Sequence, residues 1–298
     1  MEDEMKKYIY AVVLLIIIVG VFLFFKPDKQ IYQMTGNTLA YSEERGNTGY
    51  EVLDTWEEQG IEIRKIRFES RPFQDQEVYI YGLIYLPDKK NAPGFVFLPA
   101  GEATKESRKK LLIELAKEGY ASLSIDQRGV GETGGTFLWV NQDYLVFGKG
   151  YEPVQHLMVY DALRSFDVLR EVEEVDKDSI GFVGESMGGR YAIIASALEQ
   201  NDDGAIIISS AGFNVQLSPL QEGNNYLVSI DPDHYIENVN YLMMMHGTED
   251  EVVPLQNAQI TFEKAKEPKE FYTFECEHGY CEAMYEKLVN GLNDMVKS

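Results

Sequence analysis

The stretch that decides the fold reads Ser179-Ile-Gly-Phe-Val-Gly-Glu-Ser-Met-Gly-Gly-Arg-Tyr-Ala-Ile-Ile-Ala-Ser-Ala-Leu198. A short apolar strand runs into a helix through a Gly-x-Ser-x-Gly turn centred on Ser186. A serine on such a sharp turn has strained backbone geometry, so the residues two positions away must be nearly free of side chain. Gly184 and Gly188 meet that need. The N–H groups at the start of the following helix favour a negative oxygen at this point, so the stretch predicts a nucleophilic serine.

A serine hydroxyl is a poor nucleophile at neutral pH, so this hypothesis requires a histidine base and a carboxylate that orients it. Asp250 follows an apolar strand predicted over residues 241–245, and His278 follows an alternating strand predicted over residues 270–275. The carboxyl ends of parallel strands meet at one edge of a sheet, where both side chains would approach Ser186. We therefore predict Ser186 as nucleophile, Asp250 as acid and His278 as base.

The other histidines have different interpretations. His246 precedes the acid on the same turn, and we expect it to stabilise that turn or to be buried with its hydrogen bonds satisfied. His156 is expected on the polar face of a helix predicted over residues 153–172. His234 either lines the pocket or faces solvent. Glu249 and Glu251 flank Asp250 and stay open as alternative acids.

Four segments make the chain resemble the α/β-hydrolase superfamily from about Ile61 to the C-terminus. Residues 95–102 stand at the family's oxyanion strand and turn, 126–133 resemble its D-x-R-G-x-G-x-S loop, 184–188 are its nucleophile elbow, and 246–254 resemble H-G-x-x-D-x-x-V-P. The order serine, aspartate, histidine is also that of the family. Residues 174–181 resemble the lead-in of its dienelactone hydrolase, acetyl esterase and prolyl-oligopeptidase-like branches.

The resemblance implies an oxyanion hole formed by the backbone N–H groups of Met187 and Glu102. The chain departs from the family here, because Ala100-Gly101 replaces the usual His-Gly. A hole built from backbone groups does not depend on that histidine.

The alternation of strands and helices predicts a mainly parallel, eight-stranded sheet with helices on both faces and a minimal cap. The strands are expected from Ile61 and over 78–86, 94–98, 120–125, 179–183, 205–209, 241–245 and 270–275. The cap is expected in the insertions 134–150 and 213–240, from which four residues are predicted to line a substrate pocket: Trp139, Tyr144, Tyr226 and His234.

The N-terminus predicts attachment to a membrane. Residues 8–25 form an uncharged, almost wholly apolar run, at about the lower length limit for a spanning helix. No small-residue cleavage site follows, which favours an uncleaved anchor over a removed signal peptide. We predict an anchor over 1–27, a tether with a short helix near 50–59 over 28–60, and a catalytic domain over 61–298 placed outside the cytoplasm.

Composition limits the partners. The chain has 298 residues with 27 basic and 49 acidic side chains, a net charge of −22. Nothing basic is clustered enough to neutralise phosphates, which argues against a nucleic-acid partner. Cys276 and Cys281 bracket His278 and either form a disulfide or are unrelated thiols; they fit no structural zinc pattern.

Taken together, the residues and the resemblance predict a membrane-anchored serine hydrolase that cleaves a small carboxylic ester, with no cofactor and no metal. Two alternatives stay open: a hydrolase of small peptides or amides that uses the same three residues, and a non-catalytic binding module on the same fold.

Overall fold

The structure is a computed structural model that describes residues 34–42, 45–46, 48–214 and 221–296. Within these ranges the strands are β1 (Met34–Thr35), β2 (Thr38–Leu39), β3 (Glu51–Glu58), β4 (Ile61–Phe73), β5 (Gln76–Leu86), β6 (Ala92–Leu98), β7 (Ala121–Ile125), β8 (Val175–Glu185), β9 (Ala205–Ile208), β10 (Leu242–Gly247) and β11 (Lys269–Phe274). The helices are α1 (Lys109–Lys117), α2 (Val140–Phe147), α3 (Val154–Arg170), α4 (Met187–Leu198), α5 (Gln221–Ile230), α6 (Leu255–Glu263) and α7 (Tyr285–Met295).

Nine of these strands form one sheet in the order β11-β10-β9-β8-β6-β7-β5-β4-β3. The pairs from β7 through β6 to β11 are parallel, and β3, β4, β5 and β7 pair antiparallel. The prediction of a large, mainly parallel sheet is confirmed. All eight expected strands are present, and β3 is a ninth.

The short helix predicted near residues 50–59 is wrong, because this segment is β3. It pairs with β4 in the register Glu51↔Arg67 to Glu58↔Ile61 and closes one edge of the sheet. Most of its side chains are exposed, so its own sequence has little apolar signal. The long strand β4 supplies the hydrogen-bonding partner that decides its conformation. The sheet thus begins ten residues before the boundary predicted at residue 61.

Buried residues form a core on each face of the sheet, as the prediction of helices on both faces requires. Alternate residues of β6 illustrate this: Val96 and Leu98 pack in one core with α3 and α4, and Phe95 and Phe97 pack in the other with α1 and α7. The site-bearing strands are therefore fixed from both sides.

The segment before the sheet is attached to the domain. The hydroxyl of Tyr41 donates to the carbonyl of His156 at 2.9 Å. The guanidinium of Arg45, almost fully buried, binds the carboxylates of Asp167 and Glu199. Part of the predicted tether therefore packs against α3 and the end of α4.

None of the helices in the described ranges is long and apolar enough to cross a membrane. The anchor predicted over residues 8–25 lies outside those ranges and stays a prediction.

Candidate active site

The nucleophile elbow lies at the carboxyl end of β8, in the middle of the sheet. Ser186 has φ 53° and ψ −117°, a left-handed conformation that a non-glycine residue adopts at a cost. Its N–H donates to the carbonyl of Ile208 on β9 at 2.9 Å. A Cβ on Gly184 would lie 2.5 Å from the carbonyl oxygen of Gly188, and one on Gly188 would lie 2.1 Å from that of Leu98. The turn therefore requires both glycines, as the sequence predicts.

The three predicted catalytic side chains form one hydrogen-bonded chain. His278 Nε2 lies 2.8 Å from Ser186 Oγ, and His278 Nδ1 lies 2.8 Å and 3.0 Å from the two oxygens of Asp250. The three come from the ends of β8, β10 and β11, which share one edge of the sheet. This geometry allows the imidazole to take the serine proton while the carboxylate holds the ring.

Asp250 is fixed as a charged acceptor. Its Oδ1 accepts the backbone N–H groups of Val252 at 2.9 Å and Val253 at 2.8 Å. Burial opposes its ionisation, but the Val253 N–H and His278 outweigh burial and lower the pKa of Asp250 below its usual value. Glu249 and Glu251, the alternatives left open by the sequence, are exposed, and the carboxylate that hydrogen-bonds His278 is that of Asp250.

His246 supports this turn, as predicted. It is 1% exposed, and its Nε2 donates to the carbonyl of Val253 at 2.8 Å and lies 3.3 Å from Asp250 Oδ2. Burial lowers the pKa of His246, which favours the neutral form of the ring. It therefore braces the loop that carries the acid.

The loop that carries His278 is held by the residue beside the nucleophile. Glu185 is buried, and its carboxylate accepts the N–H of Tyr280 at 3.1 Å and the Nε–H of Arg108 at 2.8 Å. A Cβ on Gly279 would lie 2.4 Å from that carboxylate, so the loop approaches it closely. Cys276 and Cys281 form a disulfide across the same loop. The position of His278 thus depends on two connections of its loop beyond its own contacts with Ser186 and Asp250.

Ser186 and His278 open onto a cavity of about 470 Å³. Its wall contains Ala100, Gly101, Trp139, Met187, Arg190, Ser210, Ala211, Gly212, Phe213, Val252, Val253, Pro254 and Asn257. Trp139 therefore lies where the sequence predicts it, and it is 46% exposed at the rim.

The other three predicted pocket residues lie elsewhere. Tyr226 is fully buried, and its hydroxyl donates to Asp143 at 3.0 Å, so its pocket role is wrong. Tyr144 packs its ring 5.6 Å from that of Tyr226 and lies outside the cavity. His234 is exposed in a short 3₁₀ turn and also lies outside. The cap aromatics mostly pack against one another, because a short cap needs its own apolar core.

The loop predicted to form the oxyanion hole lies beside the cavity onto which Ser186 opens. Met187 begins α4, and a Cβ on Gly101 would lie 3.2 Å from its terminal methyl group. Glu102 has φ 62°, left-handed like Ser186, and its side chain is exposed. Ala100 and Gly101 line the cavity and Glu102 does not. The N–H roles of Met187 and Glu102 stay predictions.

His156 is not a polar-face residue, which corrects the prediction from the sequence. It is fully buried and its Nε2 lies 2.6 Å from the hydroxyl of Ser229 on α5. Burial lowers its pKa to about 3. The cap helix covers the face of α3 that the helical pattern alone assigns to solvent.

Sequence reasoning also missed several cavity residues. Arg190 lies four positions after Ser186, and that spacing places two residues on one face of a helix. The sequence could therefore have predicted that Arg190 lies near the site. Phe213 follows β9 at the edge of the site, and its position after this strand was the only feature of the sequence that could have identified it. Within the described ranges, no group of three His, Cys, Asp or Glu side chains is arranged to hold a metal ion.

Comparison with known proteins gives three kinds of similarity. The family model for "Serine aminopeptidase, S33" matches residues 100–231. YfhR of Escherichia coli, described as an uncharacterized protein, is 30% identical over 172 residues, which are 51% of this chain and 60% of YfhR. This chain therefore spans less than two thirds of that relative.

Two solved acetyl xylan esterases resemble the structure. The one from a Paenibacillus species has a TM-score of 0.70 at 18% identity, over 84% of this chain and 90% of that chain. Acetyl xylan esterase 1 from a Thermoanaerobacterium species has a TM-score of 0.69 at 13% identity, over 84% and 89%. At these identities the similarity establishes a shared fold and leaves the substrate open.

Proposed function

We propose that this chain, a member of the α/β-hydrolase superfamily, is a serine hydrolase that cleaves carboxylic esters through Ser186, His278 and Asp250. One observation carries the proposal: the 2.8 Å contacts that join the serine hydroxyl to the imidazole and the imidazole to the carboxylate. Hydrogen bonds that join a serine, a histidine and a carboxylate in this order activate a hydroxyl that is otherwise a poor nucleophile.

The reaction follows from the order of these groups. Ser186 Oγ attacks the ester carbonyl carbon while His278 Nε2 accepts its proton, and Asp250 stabilises the imidazolium. The negative oxygen lies near the predicted N–H donors of Met187 and Glu102. His278 then gives its proton to the departing alcohol, which leaves an acyl-enzyme.

Deacylation repeats these steps with water. His278 accepts a water proton, the hydroxide oxygen adds to the acyl carbon, and the proton returns to Ser186 Oγ as the acid product leaves. Because the cavity is small and opens at a rim containing Trp139, it fits a modest acyl or alcohol group.

The proposal is tested by hydrolysis of short-chain p-nitrophenyl esters with the full chain and with Ser186→Ala. Wild-type turnover that the substitution reduces by about 10⁴-fold or more supports it. Turnover that persists in Ser186→Ala would contradict the role of this serine.

A second candidate, hydrolysis of amides or small peptides, is favoured by the family model for a serine aminopeptidase. The same three residues would serve, and only the leaving group differs. Matched p-nitroanilides separate the two candidates. A kcat/KM on the anilide comparable to that on the ester would favour amide hydrolysis as the function. No turnover on either class would favour a non-catalytic binding module.

We also propose that residues 8–25 anchor the chain in a membrane with the catalytic domain outside the cytoplasm. The disulfide between Cys276 and Cys281 supports this placement, since such bonds persist in oxidising compartments. Membrane fractionation of the full chain, followed by protease treatment of intact cells, tests it. Recovery in the soluble fraction would contradict the anchor, and protection from protease would contradict the orientation.

A further inference from the structure

The cavity wall contains one strongly basic side chain, that of Arg190, and no carboxylate among its described residues. Arg190 lies on α4 four positions after Ser186, which is about 6 Å along a helix axis. Residues at that spacing share a helix face. The positive charge of Arg190 is therefore close to Ser186, although Arg190 is not one of the three proposed catalytic residues.

The guanidinium of Arg190 is packed against an aromatic ring. It lies 4.6 Å from the ring centre of Phe213, which also lines the cavity. A guanidinium held over a ring keeps its N–H groups at the edge of its plane, where they match a carboxylate in a two-point contact.

These N–H groups have no partner within the part of the chain that the structure describes, whereas most of the other arginines bind a carboxylate. Arg128 binds Asp161, and Arg108 binds Glu185. The carboxylate of Asp231 contributes to the electrostatic surroundings of Arg190 but accepts the N–H groups of Phe213 and Asp233 instead. In a chain with 49 acidic side chains, Arg190 lacks the carboxylate partner that most of the other arginines have.

Burial lowers the pKa of Arg190, with Tyr191 and Asp231 acting in the opposite direction. Arg190 is only partly exposed to solvent. Partial removal of a charge from water without pairing it is unfavourable, and an anionic group that enters the cavity would relieve that cost. A positively charged group would instead be repelled.

We infer that Arg190 binds a carboxylate of the substrate, so that preferred esters carry a negative charge a few atoms from the scissile bond. The inference rests on the proposed function and deepens it by naming a substrate class. It also disfavours substrates with a free α-amino group, which would place an ammonium beside Arg190 with no described cavity carboxylate to receive it.

The test compares charged and neutral esters of matched length on the full chain. Monoethyl succinate, glutarate and adipate are paired with ethyl butyrate, valerate and hexanoate, and ethanol release is followed. 4-Acetoxybutyrate places the carboxylate on the alcohol side, butyl acetate is its neutral partner, and acetate release is followed for this pair. We expect at least one charged ester to exceed its neutral partner in kcat/KM.

The variant Arg190→Gln should lower that charged-to-neutral ratio by about 10- to 100-fold, the usual effect of losing a charge-assisted hydrogen bond. Arg170→Gln is the matched control, because Arg170 also lies over a phenylalanine ring, that of Phe166, but outside the cavity. It should leave the ratio unchanged. Thermal unfolding of both variants checks that they fold.

Inhibition of the wild type gives a second readout that needs no variant. Free glutarate and free valerate, which both carry a carboxylate, should compete with ethyl valerate more strongly than the neutral valeramide does. Neutral esters hydrolysed as fast as charged ones, or an Arg190→Gln ratio equal to wild type, would overturn the inference and leave the proposed function standing. No hydrolysis of any ester, with Ser186 inert toward a fluorophosphonate, would overturn both.

Discussion

The carboxylate of Glu185 connects the nucleophile strand to the loop of the base, and we predict that Glu185→Gln impairs both stability and catalysis. Glutamine keeps the size of the side chain and removes its charge. The contact with Arg108 then loses its ionic character, and the Tyr280 N–H keeps only a neutral acceptor. His278, two residues before Tyr280, should lose part of its positioning.

The magnitude follows from the exposure of the two partners. The Glu185 side chain is 4% exposed and that of Arg108 is 33% exposed. Breaking a fully buried ion pair costs about 3–5 kcal/mol, and an exposed one about 0–1 kcal/mol. The intermediate exposure of Arg108 gives about 2 kcal/mol of unfolding free energy, or a fall in Tm of about 4 °C. A small displacement of His278 should lower kcat/KM by about tenfold.

The assay is thermal unfolding followed by circular dichroism, with ester kinetics on the same samples. Glu51→Gln is the matched control, since Glu51 pairs with Arg67 and its side chain is 57% exposed at the sheet edge. Its unfolding free energy should change by less than about 0.5 kcal/mol. If Glu185→Gln behaves like this control in both stability and kcat/KM, the argument that Glu185 positions the base is refuted.

Three further perturbations follow from the same structure. Asp250→Asn should lower kcat by about 10³- to 10⁴-fold, because the amide cannot hold His278 in the same tautomer; a loss under tenfold in ester kinetics would contradict its role. The pKa of His156 is about 3 in the folded chain and near 6.5 unfolded, so the unfolded state binds more protons between these values. Unfolding free energy should therefore fall as the pH drops from about 6.5, by about 2 kcal/mol at pH 5, and His156→Asn should lose this slope in pH-dependent melts. Replacing Cys276 and Cys281 by serine should lower unfolding free energy by about 2 kcal/mol, and dithiothreitol should do the same to the wild type; reductant-insensitive stability would argue against the bridge.

The three residues of the proposed catalytic triad could be predicted from the sequence because each lies next to a locally recognisable strand end. Ser186 has its flanking glycines, Asp250 follows the apolar run of β10, and His278 follows β11. Parallel strands then bring these ends together, a rule that needs no knowledge of the side-chain packing. The structure places the three within hydrogen-bonding distance.

Features that depend on distant contacts could not be predicted in this way. The strand β3 has mostly exposed side chains and forms because β4 offers it a free edge. His156 is buried because the cap helix α5 covers it, and Tyr226 is enclosed by the same cap. The apolar periodicity of a helix indicates the face that packs on the core. It does not reveal that another element, such as the cap, covers the opposite face.

The central claim is that Ser186 is an activated nucleophile, and the most direct test is covalent labelling of the full chain with a fluorophosphonate probe. The wild type should be labelled at Ser186 with loss of fluoride, and both Ser186→Ala and His278→Ala should abolish labelling. Folded wild-type protein that stays unlabelled, or a Ser186→Ala variant that still labels, would contradict the account.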